Sequence, residues 1–192
     1  TNFNNGLIEL STFRGLGTSN LTNLLKPLRY TTEQTIYSGY INAEYELSDR
    51  FLIQVGLRND HINLKVDWNT NVGQLVGNVD KNYNKILPAV NMKYSLTENQ
   101  NLRFSASKTY TLPLEKEMAP FAYDDVTNTT YGQPKIYPTD NYNAEFKWEM
   151  FPTKDEVFSV TAFGKYIQNP ISRVNVASAS ANDLTYVNTG DH

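Results

Sequence analysis

The chain has 192 residues, a formal net charge of −3 and no cysteine. This length suits one domain or a segment of a larger protein, and the slightly acidic balance argues against a nucleic-acid-binding protein, which needs a basic surface. The absence of cysteine excludes a disulfide scaffold and thiolate metal sites. Tyrosine leads the aromatic residues with 13 copies, and it is enriched where an apolar surface meets water.

The first part of the chain gives little pattern, and we interpret residues 1–31 as a strand end followed by a loop of the extracellular type. Residues 32–192 are expected to form a single domain. Their dominant signal is period two, which indicates β-strands because alternate side chains of a strand point to opposite faces.

Three β-hairpins are predicted in this domain. Each consists of two runs that alternate apolar and polar positions around a short turn. The paired runs are 37–47 with 51–57, 86–96 with 102–107, and 142–150 with 158–166.

The links between the hairpins are long and polar. They cover residues 68–84, 112–140 and 168–185. Short turns at one rim and long loops at the other are the layout of outer-membrane barrels, and strands of about ten residues are long enough to cross a bilayer at a tilt. The predicted fold class is therefore all-β, an antiparallel meander of transmembrane hairpins forming an incomplete barrel.

The two faces of these strands differ in chemistry. Charged residues such as Arg103, Glu145, Lys147 and Glu149 alternate with apolar and aromatic ones, and they would point into the lumen. On the lipid face a lysine or arginine would cost about 2–4 kcal/mol at the bilayer midplane. The alternative is a soluble β-sandwich used for binding or adhesion, in which the apolar face packs against a second sheet.

Three stretches carry a family resemblance: RFSASKTYTLP at 103–113, PFAYDDVTNTTYGQPKIYP at 120–138 and FGKYIQNPI at 163–171. In this order they resemble the C-terminal half of the barrel of TonB-dependent outer-membrane receptors, particularly the Bacteroidetes type. That family has an L-R-x-S-x-S strand closed by proline, a G-N-P-x-L-x-P loop element, a strand with a central glutamate and a strand ending near N-P-I.

The loop element matches at Gly132, Pro134, Ile136 and Pro138, with Gln133 replacing the usual asparagine. Glu145 matches the glutamate of the next strand, and GLRND at 56–60 is similar to the family's G-L-R-Y-D. The two prolines lack an N–H donor, so we expect an ordered extended entry to the next strand outside the central ladder. Gly132 would permit a positive φ there.

The resemblance implies a receptor in the bacterial outer membrane, in contact with its lipid, that imports a siderophore, cobalamin or oligosaccharide. TonB would be engaged through a plug domain. Neither a plug domain nor a closing strand is found in these residues, so we expect a barrel fragment. Its open edges should pair with other chains, or its long loops should fold over the apolar face. No cofactor is expected.

Enzymatic activity has little support, because a Ser-His-Asp arrangement would depend on His61, which is more simply a surface residue. The candidate ligand contacts lie in the link 112–140, where aromatic rings could stack on a sugar or siderophore and carboxylates could touch a cation. Packing within the loop and a solvated loop tip are the alternatives. The candidates are Phe121, Tyr123, Asp124, Asp125, Tyr131 and Tyr137.

Overall fold

The structure, a computed structural model, describes residues 29–69, 76–124, 128–176 and 183–191. The prediction for residues 1–31 thus lies almost wholly outside the described residues. The elements in chain order are β1 (Arg29–Ser48), β2 (Phe51–Asn69), β3 (Val76–Thr97), β4 (Gln100–Thr111), α1 (Glu115–Met118), β5 (Ala122–Asp124), β6 (Thr129–Tyr131), β7 (Thr139–Met150), β8 (Phe158–Gln168), β9 (Ile171–Asn175) and β10 (Asp183–Asn188).

Six strands form one antiparallel sheet in the order β1-β2-β3-β4-β7-β8. The three predicted hairpins are confirmed, because β1 pairs with β2, β3 with β4 and β7 with β8. The incomplete antiparallel barrel wall is also confirmed: the sheet is open, with β1 and β8 at its edges. Pairing between chains through these edges stays a prediction.

The expected strand length of about ten residues is only partly right. The strands β4, β7 and β8 have 12, 12 and 11 residues, but β1, β2 and β3 have 20, 19 and 22. The predicted link 68–84 is therefore wrong for most of its length, since β3 begins at Val76.

The long strands extend because their apolar pattern continues on the other face. In β2, Ile53, Val55 and Leu57 share one face, whereas Ile62 and Val66 lie on the opposite one. These last two side chains are 0% exposed. The strand thus keeps its period of two but presents its apolar side chains to a different neighbour beyond residue 60.

That neighbour is a layer formed by the other two links, which we call the loop layer: residues 112–124 and 128–138 with β9 and β10. Its short strands form a second sheet in the order β5-β6-β10-β9, so the described parts of the links 112–140 and 168–185 contain short strands rather than open loops alone. The buried core lies between the layer and the extended hairpins. Its apolar members are Ile62, Leu64, Val66, Met118, Ala119, Phe121 and Ile136.

The loop layer therefore covers the face opposite to the apolar face of the hairpins. The expectation that the loops fold over the apolar face is wrong. A sandwich would need a sheet against that apolar face, and among the described residues the second sheet contacts the other side, with Ile171 and Tyr186 packing beside Leu64. No helix in the described part of the chain is long and apolar enough to cross a membrane.

Candidate functional site: apolar band, polar face and loop layer

One face of the large sheet carries an apolar band. The strand register places its side chains in rows from the turn rim upward. The rows are Phe51, Tyr94, Leu102, Trp148 and Val160; Tyr45, Ile53, Met92, Phe104, Phe146 and Ala162; Ala43, Val55, Val90, Ala106, Ala144 and Gly164; and Ile41, Leu57, Pro88, Lys108, Tyr142 and Tyr166.

Aromatic pairs mark both limits of the apolar band on β7 and β8. At the turn rim the ring centroids of Trp148 and Phe158 are 5.9 Å apart, and at the opposite limit those of Tyr142 and Tyr166 are 6.0 Å apart. On β1 the apolar face continues two rows beyond these to Tyr37, and from Leu47 to Tyr37 it covers about ten residues, or about 33 Å along the strand. At a tilt of about 40° this gives a height of about 25 Å, which is the height of the lipid-facing belt in outer-membrane barrels.

The opposite face of the same strands, the polar face, carries the charges. Glu149 accepts from Arg103 Nε at 2.9 Å and from Lys147 Nζ at 2.8 Å. Arg103 and Lys147 are directly opposed in the register, and Ser105 is opposed to Glu145 one row further. The expectation that these four charged residues share one face is confirmed. In a membrane, this face suits a water-filled or protein-filled lumen.

The proline-containing loop element lies outside the ladder, as predicted, and buries Ile136 at 2% exposure. The role expected for Gly132 is wrong in its reason: a Cβ there would lie 1.7 Å from the Ala119 carbonyl oxygen. Gly132 is needed because two backbones approach closely, and no positive φ is required. Its N–H donates to Phe121 O at 3.1 Å, which fastens the element to the segment after α1.

An asparagine cluster that sequence reasoning missed holds the other end of this element. The amide of Asn188 donates to the carbonyls of Tyr137 and Asn169, both at 2.9 Å, and its oxygen accepts from the Tyr137 N–H at 3.0 Å. Asn169 has a φ of 53°, a conformation that asparagine tolerates better than most residues. Its position before Pro170, in the N-P-I motif, was the only sequence signal of this cluster.

Two polar side chains of β3 lie under the loop layer, beyond the apolar band. Lys81 Nζ donates to Ile136 O at 2.6 Å, and burial lowers the pKa of Lys81. The Tyr83 hydroxyl is buried and has no hydrogen-bond partner among the described residues. Burial raises the pKa of Tyr83 to about 12.

The candidate ligand contacts occupy different environments. Phe121 is 5% exposed and packs with Val66 and Ala119, with Tyr123 beside them. Tyr131 and Tyr137 are 41% and 43% exposed. The side chain of Asp124 and the whole of Asp125 lie outside the described residues. Ligand contact by these residues stays a prediction, and the exposed tyrosines are the members best placed for it.

The described residues offer binding surfaces. His61 is exposed on β2. No group of three histidine, cysteine, aspartate or glutamate side chains that could hold a metal ion occurs among the described residues.

Comparisons with known proteins agree with this geometry. The family model described as TonB dependent receptor-like, beta-barrel matches residues 2–192. No curated protein gave a significant sequence match.

Among solved structures, the hemophore receptor HasR of Serratia marcescens, in complex with its hemophore HasA and heme, has a TM-score of 0.67 at 17% identity, over 81% of this chain and 29% of that one. The ferric-catecholate import receptor Fiu of Escherichia coli K12 has a TM-score of 0.57 at 13% identity, over 84% and 24%. The siderophore receptor PirA of Pseudomonas aeruginosa has 0.52 at 14%, over 84% and 38%.

The TM-scores show a shared fold, and the chain spans well under half the length of each of these receptors. The family match covers nearly every residue. The chain therefore belongs to the TonB-dependent receptor β-barrel family, whose barrels reside in the bacterial outer membrane.

Proposed function

We propose that the full-length protein is a TonB-dependent receptor that imports a scarce, bulky nutrient, and that this chain supplies part of its barrel wall and of its extracellular loop layer. The observation that carries the proposal is the division of one sheet into an apolar band and a polar face with the Glu149 ion pairs. A structured layer over the long-strand rim supports it further. We propose no catalytic role.

In the proposed arrangement, the apolar band contacts lipid and the polar face lines the lumen. The plug domain of the receptor would lie against that polar face and engage TonB. The loop layer would stand on the extracellular side, with Tyr131 and Tyr137 offering aromatic surface to the ligand.

The ligand class is a separate step of the proposal. The receptors with a similar fold are described as binding siderophores or a heme carrier, so we propose a ferric siderophore as the first ligand to test. Cobalamin and oligosaccharides are the next classes.

The experiment uses cells that produce the full-length receptor, a deletion strain and a strain without TonB. We expect the receptor in the outer-membrane fraction with heat-modifiable migration, and uptake of radiolabelled ferric siderophore that is lost in both deletion strains. A receptor found in the soluble periplasm would overturn the membrane role. Correct localisation with unchanged uptake of iron chelates, cobalamin and oligosaccharides in the deletion strain would overturn the import role.

A further inference from the structure

The β3–β4 ladder ends before either strand does. Its last pair on the loop side is Ala89 with Ser107, although β3 starts at Val76 and β4 continues to Thr111. The next residue of β3 is Pro88, which has no N–H to donate to a ladder. The β2–β3 ladder continues past it without interruption.

Beyond this last pair the two parts of the sheet have separated. By the alternation of side chains along their strands, Lys85 belongs to the polar face and Asp140 to the apolar face. Lys85 Nζ and Asp140 Oδ1 are nevertheless only 2.7 Å apart. The Tyr110 hydroxyl likewise donates to Asp60 Oδ2 at 2.9 Å. Across a continuous ladder, residues of opposite parity point to opposite faces. These contacts therefore cross an open seam between β3 and β4.

A groove of about 450 Å³ lies at the foot of this seam, on the apolar band. Its volume falls within the ~300–1,000 Å³ range of ligand pockets. The side chains of Val55, Pro88, Val90 and Ala106 line it. Small residues and a missing ladder thus leave a recess in a surface that otherwise faces lipid chains.

The loop-side end of the groove is positively charged. It is formed by Lys108 and Tyr142, with the ammonium of Lys108 5.3 Å from the centroid of the Tyr142 ring. Lys108 Nζ is 3.2 Å from Asp140 Oδ2, and the same carboxylate also forms an ion pair with Lys85. Two cations thus share one carboxylate, and the excess positive charge is available to an anion from outside.

We infer that this groove is a lipid-binding site for a phosphate-bearing lipid of the outer leaflet. One acyl chain lies in the groove, and the headgroup phosphate lies beside Lys108. A lipid fits better than a peptide because the groove opens within the band that faces the bilayer. A lysine at the membrane interface, with an apolar stem and a charged tip, attracts anionic headgroups.

The test uses the full-length receptor in detergent and lipid A that carries its phosphates, with bound lipid counted by native mass spectrometry. We expect one tightly held lipid on the wild type. Occupancy at a fixed lipid concentration should fall at least fivefold in Lys108→Gln, and equally in Ala106→Trp, which fills the groove. Lys108→Arg should retain binding, because it keeps the charge.

Lys165→Gln is the matched control, since it removes the same charge from the polar face and should leave occupancy unchanged. Heat-modifiable migration verifies that each variant is folded. Wild-type occupancy in Lys108→Gln, or equal binding of dephosphorylated lipid A, would overturn the phosphate contact. Wild-type occupancy in a folded Ala106→Trp variant would overturn the groove as the acyl site.

Discussion

Arginine placed in the middle of the apolar band should destabilise the folded barrel, whereas arginine at the adjacent position should not. Ala144 lies in the third row of the band, between Ala106 and Gly164, and Asn143 lies on the polar face. A Cβ added at Gly164 would meet nothing within 4 Å, so an arginine at 144 has room on that side. The penalty then comes from placing a charge among lipid chains.

For a cation near the bilayer midplane this penalty is about 2–4 kcal/mol, which corresponds to a factor of roughly 30–1,000 in the folding equilibrium constant. In Asn143→Arg only a hydrogen bond of 3.4 Å to Thr109 is lost, and the guanidinium points to the lumen. We expect a change of less than about 1 kcal/mol there. His61→Arg lies on the same face as Ala144 but at the upper limit of the band, opposite Tyr37, and should also cost about 0–1 kcal/mol.

The assay is urea titration of the full-length receptor refolded into lipid vesicles, with the folded fraction measured by heat-modifiable migration. We expect a large loss of stability for Ala144→Arg and small losses for the two controls. Equal losses for Ala144→Arg and Asn143→Arg would refute the assignment of the two faces.

The loop layer provides three further tests. Gly132→Ala places a methyl group against the Ala119 carbonyl and should release the loop element, so that hydrogen exchange becomes faster there. Gly190→Ala is the control, because a Cβ at Gly190 meets open space. Unchanged exchange in Gly132→Ala would contradict the close approach. Leu64→Ala removes a core side chain that is 1% exposed and should weaken docking of the loop layer by about 2–5 kcal/mol, while the barrel keeps its heat-modifiable migration. Loss of the folded barrel itself would show that the loop layer and the barrel do not fold independently. Tyr83→Phe should leave stability unchanged or raise it by about 1 kcal/mol, because the buried hydroxyl has no partner among the described residues. The pKa of Tyr83 is raised in the folded state from 10.0 to about 12, so the wild type should lose stability as the pH rises from about 10 to 12. The same loss of stability in Tyr83→Phe over this pH range would contradict this.

The membrane-crossing part of the sheet was predictable because its surroundings are simple. Lipid on one side and a polar lumen on the other impose an alternation, which residues 142–150 follow throughout and residues 51–57 follow except at Leu52. The short turns between paired strands needed only local sequence. The family was predictable from the order of several motifs along the chain, since each motif alone is only weakly specific.

The extended hairpins were not predicted, although their signal was in the sequence. Ile62, Leu64 and Val66 alternate with Asn63 and Lys65, which is a strand pattern. The predicted run nevertheless ends at residue 57, and the interpretation of residues 68–84 as a polar link follows, because the change of face has meaning only when a second layer is known to cover the other side.

The contacts of the loop layer depend on residues far apart in sequence. The Asn188 amide joins Tyr137 to Asn169, and no local pattern predicts that these three residues meet. The reason for Gly132 is similar, since a close approach to Ala119 is visible only in three dimensions. The seam at Pro88 could not be predicted either, because a proline in an alternating run does not show which of the two neighbouring strands stops pairing there.

The assignment of one face of the sheet to lipid and the other to the lumen is tested by the accessibility of single nitroxide labels along β7 of the full-length receptor in lipid vesicles. This chain has no cysteine of its own to label. Labels at 144 and 146 should collide with oxygen dissolved in lipid and be shielded from a water-soluble nickel chelate. Labels at 143, 145 and 147 should avoid the lipid environment. Accessibility that alternates with period two would support a barrel wall between lipid and lumen, and equal accessibility of both faces to the nickel chelate would contradict it.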